Sequence, residues 1–408
     1  MQKCLKLSLF FRYFFVKPIK ERDKMQNSEC EICGGCAFRS LGLETYRRNK
    51  EENFKKTINS IKEASPVIET PIFMKDGSRR RAELSFEYTK KELKLGFNAN
   101  KAHDVVDITH CDMLDEKLNS ILFSLHTFLT DFCQITETVK NKKKLETISI
   151  RKGKIYLLHA DNGIDILLDL PEQPRLQHRL LVAEFANKQE NVCRFSWSIK
   201  GSMPETVIEK YAPELHIKDF VIEIPQGVFL QASKDSETAM IEKMQKYMGD
   251  ITGKIADLFC GLGTFTYPLA KTKSNEIISA DSSQSAIEGL KKALNRNQIQ
   301  NVKVINRNLF KYPFDKDDLK GVKAVVIDPP RAGAHEQCRM LADLPENIKP
   351  AKIIFISCNP QTFVYDAEIL IKGGYKFDRV TLIDQFVYSK HQELIALFTF
   401  NPKDQKGE

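Results

Sequence analysis

Cys358 follows an apolar run, Ile353-Ile354-Phe355-Ile356, and is followed by Asn359-Pro360. Four apolar residues rich in β-branched types predict a buried strand. The carboxyl end of such a strand is where open α/β sheets form their ligand crevice. A thiol placed there is available for covalent catalysis. Two further strand ends carry groups that could serve it. The strand predicted over 254–259 leads into Cys260-Gly261-Leu262-Gly263-Thr264, and Ala324-Val325-Val326-Ile327 leads into Asp328-Pro329-Pro330-Arg331. Glycine, acid and thiol at three strand tips point to a nucleotide-type cofactor beside a cysteine nucleophile. Gly261 and Gly263 let the chain turn sharply and come close to a ligand. Asp281, after the strand predicted over 276–280, is an acid suited to ribose hydroxyls. Its competing role is to cap the next helix.

Asp257-Leu258-Phe259-Cys260-Gly261-Leu262-Gly263-Thr264-Phe265, Asp328-Pro329-Pro330-Arg331-Ala332-Gly333 and Ser357-Cys358-Asn359-Pro360-Gln361-Thr362 together resemble the RNA uracil-5-methyltransferases. A fourth element, Asp384-Gln385-Phe386 followed by His391-Gln392-Glu393, agrees. The resemblance runs from about Cys30 to the C-terminus. It implies an S-adenosylmethionine-dependent enzyme that makes 5-methyluridine in rRNA or tRNA. It also implies roles. Cys358 is the nucleophile that adds to carbon 6 of uracil, with Cys260 as its rival inside the donor-binding turn. Glu393 is the base that later removes the proton from carbon 5, with His391 as an orienting partner. Gln231, Phe259, Gly261, Gly263, Thr264, Asp281, Asn308 and Asp328 fall at donor-binding positions. Backbone N–H groups at the strand tip are expected to depress the Cys358 pKa. Two departures stand out. Relatives often read Asp-Met-Phe-Pro-His-Thr where this chain has Asp384-Gln385-Phe386-Val387-Tyr388-Ser389, and Tyr365 stands where many have arginine.

Cys30, Cys33 and Cys36 lie within seven residues. Thiolates this crowded in a reducing compartment hold a metal, and Cys111 is the candidate fourth ligand. By spacing alone, zinc and an iron–sulfur cluster are both open. The resemblance implies a structural [4Fe-4S] cluster, as in rRNA-modifying members. It therefore implies a uridine of 23S rRNA as substrate. The tRNA T-loop uridine and a non-catalytic iron–sulfur RNA-binding protein are the alternatives. Cys4, Cys133, Cys193 and Cys338 are isolated and read as inert.

These residues need elements to place them. The chain has 408 residues, 62 of them Lys or Arg against 54 Asp or Glu, for a net charge of +8. That excess suits a polyanionic partner without requiring one. Residues 1–28 read as a poorly ordered extension, with no signal peptide and Met25 as an alternative start. Residues 29–225 read as a mixed α+β middle domain that carries the cluster and grips RNA. Within it a hairpin is predicted from 81–88 and 93–97, a helix over 114–132, and a second hairpin across 147–158. Arg79, Arg80 and Arg81 are candidate phosphate contacts, and Lys140–Lys144 is a basic loop. Residues 226–408 alternate strand and helix, which predicts a doubly wound class I methyltransferase sheet with an antiparallel pair at its edge. No segment is apolar enough to span a bilayer, and the expectation is a cytoplasmic, monomeric enzyme.

Overall fold

The computed structural model describes residues 32–90, 92–99, 104–141 and 144–402. Cys30 and the extension before it lie outside the described residues. The chain enters through two short 3₁₀ turns, Gly34–Cys36 and Arg39–Leu41, and the helix Leu43–Asn59. Next come two-residue strands β1 (Val67–Ile68) and β2 (Ile72–Phe73), then β3 (Arg81–Thr89) and β4 (Glu92–Gly96). Helix Glu116–Gln134 leads to β5 (Glu137–Asn141), β6 (Lys144–Ile148), β7 (Lys152–Ala160) and β8 (Gly163–Leu170). After helix Leu176–Lys188 come β9 (Val192–Ile199), β10 (Glu205–Glu209), β11 (Glu214–Ile217) and β12 (Phe220–Glu223).

Among the described residues, β10-β9-β8-β7-β3-β4 form a six-stranded sheet. Strand β8 alternates in burial along its length, with Ile164, Ile166, Leu168 and Leu170 inward, as a half-buried strand must. Helices Glu116–Gln134 and Leu176–Lys188 cover the sheet. The hairpin predicted across 147–158 does not form. Strand β6 pairs with β5, while β7 pairs with β3 and β8. Gly153, which reads as a turn residue, lies inside β7. A Cβ there would come within 2.8 Å of both the Phe86 ring and the Asp169 carbonyl oxygen. The glycine makes room for a neighbouring ring rather than for a turn.

From helix Lys234–Met248 onward the predicted rhythm is present. Strands β13 (Lys254–Leu258), β14 (Glu276–Asp281), β15 (Val302–Asn306), β16 (Val322–Ile327) and β17 (Lys352–Ser357) run parallel, and β18 (Lys376–Asp384) and β19 (Glu393–Thr399) close the sheet antiparallel. The order is β1-β18-β19-β17-β16-β13-β14-β15, with β2 also on β18. Strand β18 is therefore not the edge that the sequence predicts. Parallel β1 and β2 cover it. Between them Glu69 accepts hydrogen bonds from Lys243, Tyr247 and Thr381 at 2.8–3.0 Å. Residues 43–73, inside the span read as the middle domain, thus lie on the catalytic sheet. Phe54, Ile58 and Ile61 share a core with Val325, Phe355 and Phe363.

Helix Leu43–Asn59 also grips the loop between β18 and β19. Lys50 Nζ donates to Asp384 Oδ1 at 2.8 Å and to the Ser389 carbonyl at 2.9 Å. Tyr46 donates to Asp384 Oδ2 at 2.6 Å. The Lys50 and Asp384 side chains are 4% and 0% exposed. Losing one partner of such a pair strands a buried charge and costs about 3–5 kcal/mol. Lys50→Met should lower stability by about that amount in urea denaturation, and adding Asp384→Asn should restore part of it. A loss below about 1 kcal/mol, the surface-pair range, would show that this pair does not anchor the loop.

Candidate active site

The strand tips converge as the alternation requires. Cys358 follows β17 and begins a turn closed by Asn359, whose Oδ1 accepts from Gln361 N at 3.1 Å and caps helix Pro360–Lys372. Asparagine at the cap and proline at the first helical position explain why the strand stops there. Strand β19 pairs antiparallel with β17 in the register Ser357↔Leu394. The ladder ends there, with Cys358 the next residue after β17 and Glu393 the first of β19, and the Glu393 charge acts on the Cys358 thiol. Asp328 follows β16, and its backbone N–H bonds to the Leu258 carbonyl of β13 at 3.2 Å.

Electrostatics distinguish these groups. Glu393 is 4% exposed, and burial pushes its pKa up to about 7 against the pull of Gln385 and Arg331. Asp328 is pushed well above the carboxylate range by burial and by the charges of Glu393, Asp257 and Asp281. Cys358 is pushed up to about 11 by burial, Glu393 and Asp328, which outweigh Arg331 and the local backbone N–H. The expected depression is thus reversed, because burial first and the neighbouring carboxylates second raise the thiol pKa, and the N–H contribution is the smallest. The rival Cys260 is 6% exposed and turns its thiol toward the Gly261 carbonyl at 3.7 Å, inside the turn.

The glycine turn divides its labour. Gly261 has φ +53, and a Cβ there would meet nothing within 4 Å. It borders open space. Gly263 is closed in, since a Cβ would come within 2.7 Å of Leu290 and 2.9 Å of Tyr267. With φ +95 it needs glycine for the turn as well as for packing. Phe259 holds φ +60, a left-handed conformation that costs a side-chain-bearing residue on the order of 1 kcal/mol. Its ring lies 5.4 Å from Phe310. Asp281 accepts from Gly261 N at 3.0 Å and Ser283 N at 2.7 Å, while Ser283 caps the next helix. Asn308 Oδ1 accepts from Phe310 N at 3.0 Å. Thr264 is half-buried in the turn. Beneath it, Asp257 takes a 2.5 Å bond from Thr266, and its Oδ1 is buried without a partner. Burial raises the Asp257 pKa to about 7.

Two residues that sequence reasoning left out join the site. Gln385, 2% exposed, accepts at Oε1 from Ala232 N (3.2 Å) and Ser236 Oγ (3.0 Å). That fixes its amide, so Nε2 donates to Glu393 Oε2 and to Gln231 Oε1 (3.1 Å). It bridges the predicted base and the predicted donor-site glutamine. Its only sequence signal is a polar residue where relatives often carry methionine. Arg331 donates to His391 Nδ1 at 3.2 Å. Burial and nearby cations, Arg331 first among them, lower the His391 pKa, so His391 is a neutral partner of Arg331. Arg80 and Arg81 are committed to the protein, to Glu237 and the Gln231 and Leu230 carbonyls. Arg79 stacks on Phe386 at 5.5 Å. Arg80 and Arg81 therefore do not present the free phosphate-binding cations that the sequence suggests.

Cys33, Cys36 and Cys111 line one cavity with Arg39 and Arg79. Asn119 holds the Cys111 turn, accepting from Cys111 N at 2.8 Å and donating to its carbonyl at 3.0 Å. Among the described residues no group of three or more ligating side chains is close enough to hold a single metal ion. Among them, too, no helix is long and apolar enough to cross a membrane.

Comparison with known proteins agrees with this arrangement. The family model of the tRNA (uracil-5-)-methyltransferases matches residues 45–399. An uncharacterised RNA methyltransferase of Zymomonas mobilis is 32% identical over 368 residues, covering 90% of this chain and 87% of its own length. A 23S rRNA (uracil(1939)-C(5))-methyltransferase of Haemophilus influenzae is 30% identical, with 90% and 80% covered. Among solved structures, the tRNA (uracil-54, C5)-methyltransferase of Pyrococcus abyssi with S-adenosyl-L-homocysteine shares the fold at a TM-score of 0.65 and 23% identity, over 90% of this chain and 86% of that one. With a thiol at one strand tip, a buried carboxyl near it and a family match across most of its length, the chain belongs to the RNA uracil-C5-methyltransferases.

Proposed function

We propose that this enzyme methylates carbon 5 of a uridine in 23S rRNA through a covalent bond between Cys358 and carbon 6. The observation that supports the reading is the nearness of the Cys358 thiol, at the end of β17, to Glu393 and Asp328, whose charges both act on it. Carbon 5 of uracil is a weak nucleophile. Addition of the thiolate at carbon 6 turns the ring into an enolate, and carbon 5 can then take a methyl group. Glu393 removes the proton from carbon 5, and the thiolate leaves. A carboxyl raised to about 7 suits that task near neutral pH. The rRNA assignment draws on the 23S rRNA-named relatives, of 27% and 30% identity.

The residues fit S-adenosylmethionine. Open space beside Gly261, an orphaned oxygen on Asp257 and a crowd of carboxyls suit a cationic ligand with ribose hydroxyls. When bound, it supplies an electrophilic methyl group on a sulfonium. Gln231, Phe259, Gly261, Thr264, Asp281, Asn308 and Asp328 would hold it, with Gly263 shaping the turn. For the [4Fe-4S] cluster, the ligands would be Cys33, Cys36 and Cys111 around their shared cavity, with Cys30. A cluster binds each thiolate through a different iron, so its ligands need not close on one point. Anaerobically purified protein should contain about four irons per chain; stoichiometric zinc without iron would overturn this assignment.

Labelled S-adenosylmethionine offered with unmodified 23S rRNA and unmodified tRNA should mark the 23S rRNA. Label on tRNA alone would overturn the substrate. Cys358→Ala should abolish transfer, and Glu393→Gln should accumulate a covalent RNA adduct visible on denaturing gels. Surviving transfer in the first variant would refute Cys358 as the nucleophile, and no adduct in the second would refute Glu393 as the base.

The rate should fall as pH drops through about 7, where Glu393 takes up its proton. Gln385 donates to that carboxyl and favours its ionised form. Removing a hydrogen bond to a charge costs on the order of 1.5–3 kcal/mol, or about one to two pKa units. In Gln385→Leu the acid limb of the rate–pH profile should therefore move up by about that much. An unmoved limb would show that Gln385 does not tune the base.

A further inference from the structure

A cleft of about 560 Å³ runs from Cys358 along helix Leu43–Asn59, within the roughly 300–1,000 Å³ of ligand pockets. The helix offers it Asn49, Asn53 and Thr57, spaced i, i+4, i+8. That spacing stacks side chains on one face, about 6 Å apart along the axis. Thr57 Oγ1 is occupied by the Asn53 carbonyl at 3.0 Å. No hydrogen bond within the described residues engages the amides of Asn49 and Asn53. Elsewhere on the wall, Arg331 and Lys390 supply cations, and Phe38, 38% exposed, supplies a ring.

The two sets of groups have different chemistry. Neutral amides carry paired donors and acceptors that match base edges, adenine above all. Cations match the phosphate backbone. An exposed ring matches an unstacked base. Single-stranded RNA presents all three, and a base forced from its helix leaves its neighbours unpaired.

We propose that this cleft seats the nucleotide adjoining the target uridine, with Asn49 and Asn53 reading its base edge and Arg331 and Lys390 on its phosphate. The inference rests on Cys358 being the nucleophile. The phosphate contacts position the strand. The amides make methylation depend on the flanking base, although helix Leu43–Asn59 lies far in sequence from the catalytic residues.

The test uses full-length protein and RNA in which the nucleotides on both sides of a single 5-fluorouridine are randomised, with S-adenosylmethionine present. Fluorine at carbon 5 cannot be removed as a proton, so reacted RNA stays attached and can be sequenced. The native enzyme should enrich one base at one flanking position by about tenfold, the factor that one bidentate amide–base pair supplies. Asn49→Ala with Asn53→Ala should form adduct with that enrichment lost. Equal enrichment in both proteins, or none in the native enzyme, would overturn the inference. No adduct with the native enzyme would overturn the role of Cys358, and this inference with it. Equal thermal melting of the two proteins checks that the variant is folded.

Discussion

The Lys50–Asp384 pair is the constraint on which the site depends. It joins residues 334 apart in sequence, in a place neither side chain would occupy unpaired. Burial lowers the Lys50 pKa while Asp384 raises it. The ammonium holds more than the carboxylate: it also takes the carbonyls of Ser389 and His391. One charge thus fixes both ends of the loop between β18 and β19. Tyr46 adds its hydroxyl bond to Asp384 and a ring 5.1 Å from Tyr388. With the loop held, Gln385 lies at one end and Glu393 at the other, close enough to bond.

The second theme is crowding of like charge. Asp257, Asp281, Asp328 and Glu393 meet at the strand tips, and burial adds to their repulsion. Such an assembly would be costly as structure alone. Shifted carboxyls beside a raised thiol in a cleft mark a place built for chemistry. Opposing them is Arg331, which lowers the pKa values of both Cys358 and Glu393 and also holds His391. The balance leaves Glu393 poised near neutrality and the thiol mostly protonated.

The cysteine segment couples these parts mechanically. Gly34 N bonds to the Asn98 carbonyl next to β4, and Phe38 N bonds to the Tyr388 carbonyl of the active-site loop, at 3.0 and 2.9 Å. Arg39 pairs with Asp112, beside Cys111, and sits over the Tyr388 ring. A short stretch around Cys33 and Cys36 therefore touches the segment after β4, the Cys111 turn and the loop leading to Glu393.

Much of this was legible in the sequence. Long apolar runs closed by Gly, Asp-Pro or Asn-Pro dictated β13, β16 and β17 and what stands at their tips, because buried parallel strands leave a strong local signal. The same signal fails for β1 and β2, two residues each, which cover β18 only because helix Leu43–Asn59 delivers them there. It also fails for Gly153, whose missing side chain answers to Phe86 from another element. Residue types at strand ends, then, determined the fold class and which groups stand at the strand tips. Tertiary structure alone decided which carboxyls lie near the Cys358 thiol, the direction in which burial and its neighbours shift its pKa, and that Gln385 bridges Glu393 and Gln231. Those are properties of distance and burial, and they arise only where segments remote in sequence are packed together.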